Sequence, residues 1–72
     1  MNNQHVVTHN GKWAVRAENA QRVTKQFSTQ KEAIEYGKKI AQNNHSELFI
    51  HGRDGKIRDR NSYGNDPSAS KG

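Results

Sequence analysis

Four histidines, at positions 5, 9, 45 and 51, are the residues of this chain that most invite a metal site. Cysteine is absent, so no thiolate can complete a zinc ligand set or act as a nucleophile. His5 and His9 would share one face of a strand, yet four residues of strand separate them by about 13 Å, too far to share one ion. The histidines are therefore read as surface groups, with no metal and no cofactor. Ser28, Ser46, Ser62, Ser68 and Ser70 lack a nucleophile-elbow context, and the GRDG run is neither a phosphate-binding loop nor a dinucleotide fingerprint. Asp54 and Asp59 are assigned turn and surface roles. The expectation is a protein that is not an enzyme and has no small-molecule substrate.

Charge carries the more informative pattern. Twelve Lys and Arg stand against seven Asp and Glu, a net +5 with a sequence pI near 9.9, which favours polyanionic partners. Alternation along the strands gathers Lys12, Arg16, Arg22, Phe49, His51, Lys56 and Arg58 on one outward sheet face, together with His5, His9, Thr24 and Gln26. Arg53 is placed at a hairpin tip beside Lys56. No acidic residue belongs to that face in this reading. Basic groups neutralise phosphates, and an exposed aromatic ring stacks on a base, so a nucleic acid is one expected partner class. The competing expectation is a protein partner or a homodimer seam built on Phe49, Val7 and Ala14.

The elements that must position these groups are legible from periodicity. Thr29, followed three residues later by Glu32, forms a capping-box signature that opens a helix running to about residue 43. Ala33, Ile34, Tyr36, Gly37, Ile40 and Ala41 fall on one arc, and Lys31, Glu35, Lys38, Lys39 and Gln42 on the other. Ala33 and Gly37 leave little side chain between the helix axis and its partner, which suits close packing on a sheet. Asn10-Gly11 marks a two-residue hairpin between strands 5–9 and 12–17, pairing His9 with Lys12, Thr8 with Trp13 and Val6 with Val15. A third strand spans 22–27, with Val23 and Phe27 inward. Lys25 between them implies an edge strand whose lysine stem lies along the core. ELFIH is the fourth strand. Asp54-Gly55, read as a second two-residue turn, pairs Gly52 with Ile57 and His51 with Arg58, and turns Leu48, Ile50 and Ile57 inward.

The fold expected is α+β, a two-layer sandwich of an antiparallel sheet and one helix in the order β-β-β-α-β-β. Its parts are a disordered N-terminus over 1–4, one domain over 5–63 whose last residue, Tyr63, pins the tail to it, and a flexible tail over 64–72 in which Asp66-Pro67 forms an extended turn. A chain of this size buries only about 60% of its unfolded surface, so its core is thin. The N-terminus has no basic region followed by an apolar run, and no apolar stretch approaches a membrane span; the expectation is a soluble cytoplasmic protein without membrane contact.

The KWAVR strand, the FSTQKEAIEYGKKIA helix, the HGRDGKI hairpin and the SYGNDP ending together resemble the small bacterial and phage family known as domain of unknown function 2188. The pattern is carried by Trp13, Phe27, Thr29 to Ala33, His51 to Ile57 and Ser62 to Pro67, and it covers about His5 to Pro67. After Asp66-Pro67 the chain reads SASKG, where the family often continues with further prolines. The resemblance implies a standalone cytoplasmic domain and brings no catalytic residue.

Overall fold

The computed structural model describes residues 3–64. The elements in chain order are β1 (Gln4–His9), β2 (Lys12–Ala17), β3 (Lys25–Phe27), α1 (Gln30–Asn44), β4 (Glu47–His51) and β5 (Ile57–Ser62). One helix lies against one face of a five-stranded sheet, an α+β architecture. The expected tail turn at Asp66-Pro67 lies outside the described residues.

The first hairpin follows directly from its turn. Asn10 and Gly11 both have positive φ, 52° and 81°, as a type I′ turn requires. The register then runs from His9 opposite Lys12 to Gln4 opposite Ala17, every pair as the two-residue loop dictates. β1 begins at Gln4, which is buried rather than part of a disordered terminus. Asn3 is held as well, its amide donating to Glu18 and its carbonyl oxygen accepting from the Glu47 amide.

The helix also starts where its cap places it. Thr29 has extended backbone, and its hydroxyl accepts the Glu32 N–H at 3.2 Å while donating to the Glu32 carboxylate at 3.3 Å. At the other end His45 takes the left-handed conformation, φ 53°, and the His45 and Ser46 amides close back onto the Gln42 and Ala41 carbonyls. Ala33, Gly37 and Ala41 form a stripe of small buried residues on Val6, Trp13, Val15, Leu48 and Ile50. A Cβ on Gly37 would lie 2.9 Å from Leu48 Cδ1, so the helix sits as close to the sheet as a bare Cα allows. Ile34, Tyr36, Ile40, Phe27 and Tyr63 seal the margins of this core.

The sheet is mixed, not antiparallel throughout, and its strands do not follow chain order: they run β3-β2-β1-β4-β5. β4 pairs with β1 in parallel, with Gln4 beside Leu48 and Val6 beside Ile50. The physical reason is the connection. A helix spanning the layer carries the chain from the β3 edge past β2 and β1, and lays β4 against the free side of β1 in the same direction. β3 is indeed an edge strand, but it has only three residues, so Arg22 and Thr24 are not sheet residues. Lys25 pairs with Val15 on the helix side, and its ammonium lies 5.6 Å from the Phe27 ring centre and 5.5 Å from that of Tyr36.

The second hairpin departs from the sequence expectation by one residue. Of its turn residues only Gly55 has positive φ, 87°; without a second, a type I′ turn cannot form. The loop is therefore three residues long, closed by the Gly52 N–H donating to the Lys56 carbonyl at 2.8 Å. His51 then pairs with Ile57, and a bulge absorbs Arg58 before Ile50 meets Asp59. The slip turns Ile57 to the outward face, where it is 55% exposed instead of inside the core.

Three stability measurements by urea unfolding check this arrangement. Trp13→Ala removes a buried ring and is expected to cost about 3–5 kcal/mol, enough to unfold a domain this small. Gly37→Val should cost about 1–3 kcal/mol by overpacking against Leu48. Ile57→Ser should change stability by no more than about 0.5 kcal/mol; a drop of several kcal/mol would instead place Ile57 in the core.

Candidate nucleic-acid interface

Because the helix covers only one side, the opposite side of the sheet is the surface open to a partner. Its floor alternates with the core positions: His5, Val7 and His9 on β1, Lys12, Ala14 and Arg16 on β2, Gln26 on β3, and Glu47, Phe49 and His51 on β4. β5 adds Arg60, which pairs with Phe49, and Ile57, which pairs with His51.

This surface differs from the sequence expectation in composition. Lys12 and Arg16 stand on it as expected, Lys12 exposed and Arg16 half-buried with its guanidinium donating to the Ala20 carbonyl at 2.9 Å. Arg22 is exposed but lies in the segment leading to β3, off the sheet. Lys56 is exposed at the hairpin end, and Arg58 is the extra residue of the bulge, ion-paired with Asp54 at 3.0 Å. Arg53 is not with these groups: its guanidinium lies over the Trp13 ring, 5.9 Å from the centre, toward the face that the helix covers. Sequence reasoning missed Arg60, although alternation from Arg58 was enough to find it: the bulge cancels the one-residue slip of the loop, so Arg60 meets Phe49 as the two-residue register already implies.

The face is also not free of carboxylates. Glu47 alternates outward with Phe49 and meets Arg60 at 3.8 Å, and Glu18, just after β2, reaches His5 at 3.2 Å. Strand alternation from the buried Leu48 was the signal that would have placed Glu47 outward. Each acid thus faces a basic group. Among the described residues, the ammonium groups of Lys12 and Lys56 and the guanidinium of Arg22 meet no carboxylate.

Of the apolar residues on this face, Val7, Ala14 and Phe49, none is fully exposed. Ala14 is fully buried even though it points outward, and Phe49 is half-buried under His5. The two rings stack with centres 5.0 Å apart and planes at 21°. His5, not paired with His9, meets His51 instead, with His5 Nδ1 and His51 Nε2 separated by 2.9 Å. The parallel β1–β4 pairing brings those two rings together. Among the described residues no group of three or more His, Cys, Asp or Glu could hold a metal ion, and no helix is long and apolar enough to cross a membrane.

On the other side of the molecule, a shallow groove runs between α1 and β3 past Phe27 and Tyr36. Its rim mixes Lys31 and Lys39 with Glu32 and Glu35, so it favours neither sign of charge. Lys25 already occupies the aromatic faces there.

Comparison with known proteins agrees with the residue pattern. An uncharacterised protein of Bacillus subtilis (strain 168), YdaT, is 44% identical over 54 residues, which make up 75% of this chain and 36% of that protein. The chain thus spans about a third of that relative's length. No solved structure matches it. The profile of the bacterial family described as "Uncharacterized protein conserved in bacteria (DUF2188)" matches residues 4–63, the whole of the sheet and helix, and the chain belongs to that family.

Proposed function

We propose that this domain is a noncatalytic binding module that contacts nucleic acid through the open face of its sheet, chiefly by phosphate neutralisation. The single observation that supports this reading best is the one-sided packing. The helix covers one face, while Lys12, Arg16 and Arg60 project from the other, with Lys56 at its hairpin edge. The net charge of +5 adds an attraction that does not depend on base sequence. His5 occupies one side of the Phe49 ring, so a base could stack only on the opposite side. Base stacking is accordingly the lesser contribution in this reading, and backbone charge the greater. A cytoplasmic location fits a cysteine-free basic chain and belongs to the same proposal.

The alternative is a protein partner or a second copy of the chain. Ile57, the exposed large hydrophobic among the described residues, stands beside His51 on the same face and favours that reading. A phosphate-binding surface and a protein seam respond differently to salt.

The decisive measurement is an NMR titration of the labelled protein with duplex DNA, single-stranded DNA and RNA at two salt concentrations. Selective shifts at Lys12, Arg16, Lys56 and Arg60 that weaken with salt are the expected result. Replacing Lys12 or Arg16 by Ala should lower the magnitude of the log-affinity against log-salt slope by about 1 for each phosphate that the side chain neutralises. Arg53→Ala, toward the helix side, should leave that slope unchanged. No shift at low salt, together with concentration-dependent sedimentation that Ile57→Ser abolishes, would replace this reading with self-association.

A further inference from the structure

The two histidines on the open face belong to a hydrogen-bonded chain whose hydrogen count does not close when both rings are neutral. His51 Nδ1 lies 2.9 Å from the Gly55 carbonyl oxygen, which can only accept, so that nitrogen carries a hydrogen. At the far end, His5 Nε2 lies 3.2 Å from Glu18 Oε1, and an ionised carboxylate likewise only accepts. Between them, His5 Nδ1 and His51 Nε2 stand 2.9 Å apart and need one hydrogen more. Three hydrogen bonds thus require three hydrogens on four ring nitrogens, and two neutral imidazoles supply two. With only two, either a hydrogen bond at one end of the chain breaks or two lone pairs face each other. Placing the third on Glu18 is the weaker solution, because imidazole is more basic than a carboxylate by roughly two pH units in its ordinary state.

We propose that His5 and His51 act as one unit that holds a single extra proton, a monocationic imidazole pair bracketed by the Glu18 carboxylate and the Gly55 carbonyl. The charge resides on His5, which then donates from both nitrogens, while His51 keeps a bare Nε2 as acceptor. The surroundings agree with that division. His5 lies directly against the carboxylate and stacks on Phe49, where a cation is favoured by the ring. Arg16, opposite His5 on β2, turns its guanidinium to the Ala20 carbonyl, and Arg60, opposite Phe49, turns toward Glu47. Beyond His51, the hairpin charges Asp54 and Arg58 satisfy each other, and Lys56 stands exposed at the hairpin end. On β1 and β2, His9 and Lys12 lie further along the same face. From the helix, the Gln30 amide, which is uncharged, donates to the His51 carbonyl.

The pair therefore ties the end of β2 to the β4–β5 hairpin across β1, and it does so only while it is charged. With the proton bound, all three hydrogen bonds are made. Without it, one of them must be given up, so the third hydrogen is what keeps the chain from Glu18 to Gly55 whole. The same hydrogen adds a positive charge to the open face.

Glu18→Gln provides the test, since a glutamine amide can donate to His5 Nε2 and closes the chain with two hydrogens and no charge. Long-range proton–nitrogen NMR of the imidazole rings, on the full chain with a metal chelator present, counts the hydrogens directly. At neutral pH the wild type should show three hydrogen-bearing nitrogens with His51 Nε2 bare, and Glu18→Gln should show two. Two hydrogens in the wild type, or three in the variant, would overturn the proposal. So would a spectrum that changes when the chelator is added, which would put a metal ion between the rings in place of the proton. The wild-type count stands by itself if the variant does not fold.

Discussion

The close approach of α1 to the sheet at Gly37 is the constraint on which the other features depend. With no side chain there, the helix backbone rests over Leu48, Val15 and Val6, the residues at the centre of three adjacent strands. The small stripe of Ala33, Gly37 and Ala41 repeats every fourth residue, so the close packing runs the length of the helix and not through one point. For a domain with so few large apolar residues this matters. Dispersion and burial come from short distances here, since bulky side chains are few.

That seating also decides where the chain can go next. Entering at the β3 edge and leaving above the middle of the sheet, α1 delivers β4 to the side of β1 that β2 leaves free. Only then do residues 46 apart in sequence, His5 and His51, become neighbours on the open face. The parallel β1–β4 seam is thus the origin of both the core pairing of Val6 with Ile50 and the ring cluster on the opposite side. A single strand pairing serves the two layers at once.

The electrostatics of the open face follow from the same geometry. A net positive chain does not distribute its charge evenly: Arg58, Arg60 and His5 have acidic partners, Arg53 lies over Trp13, and Lys12 stays exposed. Exposed ion pairs such as those of Arg58 and Arg60 contribute little to stability, about 0–1 kcal/mol each. Their effect is on the pattern of charge that a partner would meet.

Local rules were enough for the first hairpin, the helix start and the buried helix face. Asn10-Gly11 supplies both left-handed residues of its turn, Thr29 and Glu32 lie one helical turn apart, and the apolar arc of α1 depends on helical period alone. The edge position of β3 was equally legible, because a lysine within an inward alternation requires an exit to water. The second hairpin was not, since Asp54-Gly55 is compatible with two loop lengths and only one residue adopts positive φ; that difference of one residue turned Ile57 outward and put Arg58 in a bulge, beyond which the expected register resumes. Nor could any local pattern reveal that β4 joins β1 in parallel, because the strand pairs through a helix crossing whose landing point is chosen by packing. The amino-acid sequence by itself determined the turns, the cap and the amphipathic faces, which are short-range consequences of backbone conformation. Only the tertiary structure decided which charged and aromatic groups meet, because those meetings depend on strand order and register summed over the whole sheet.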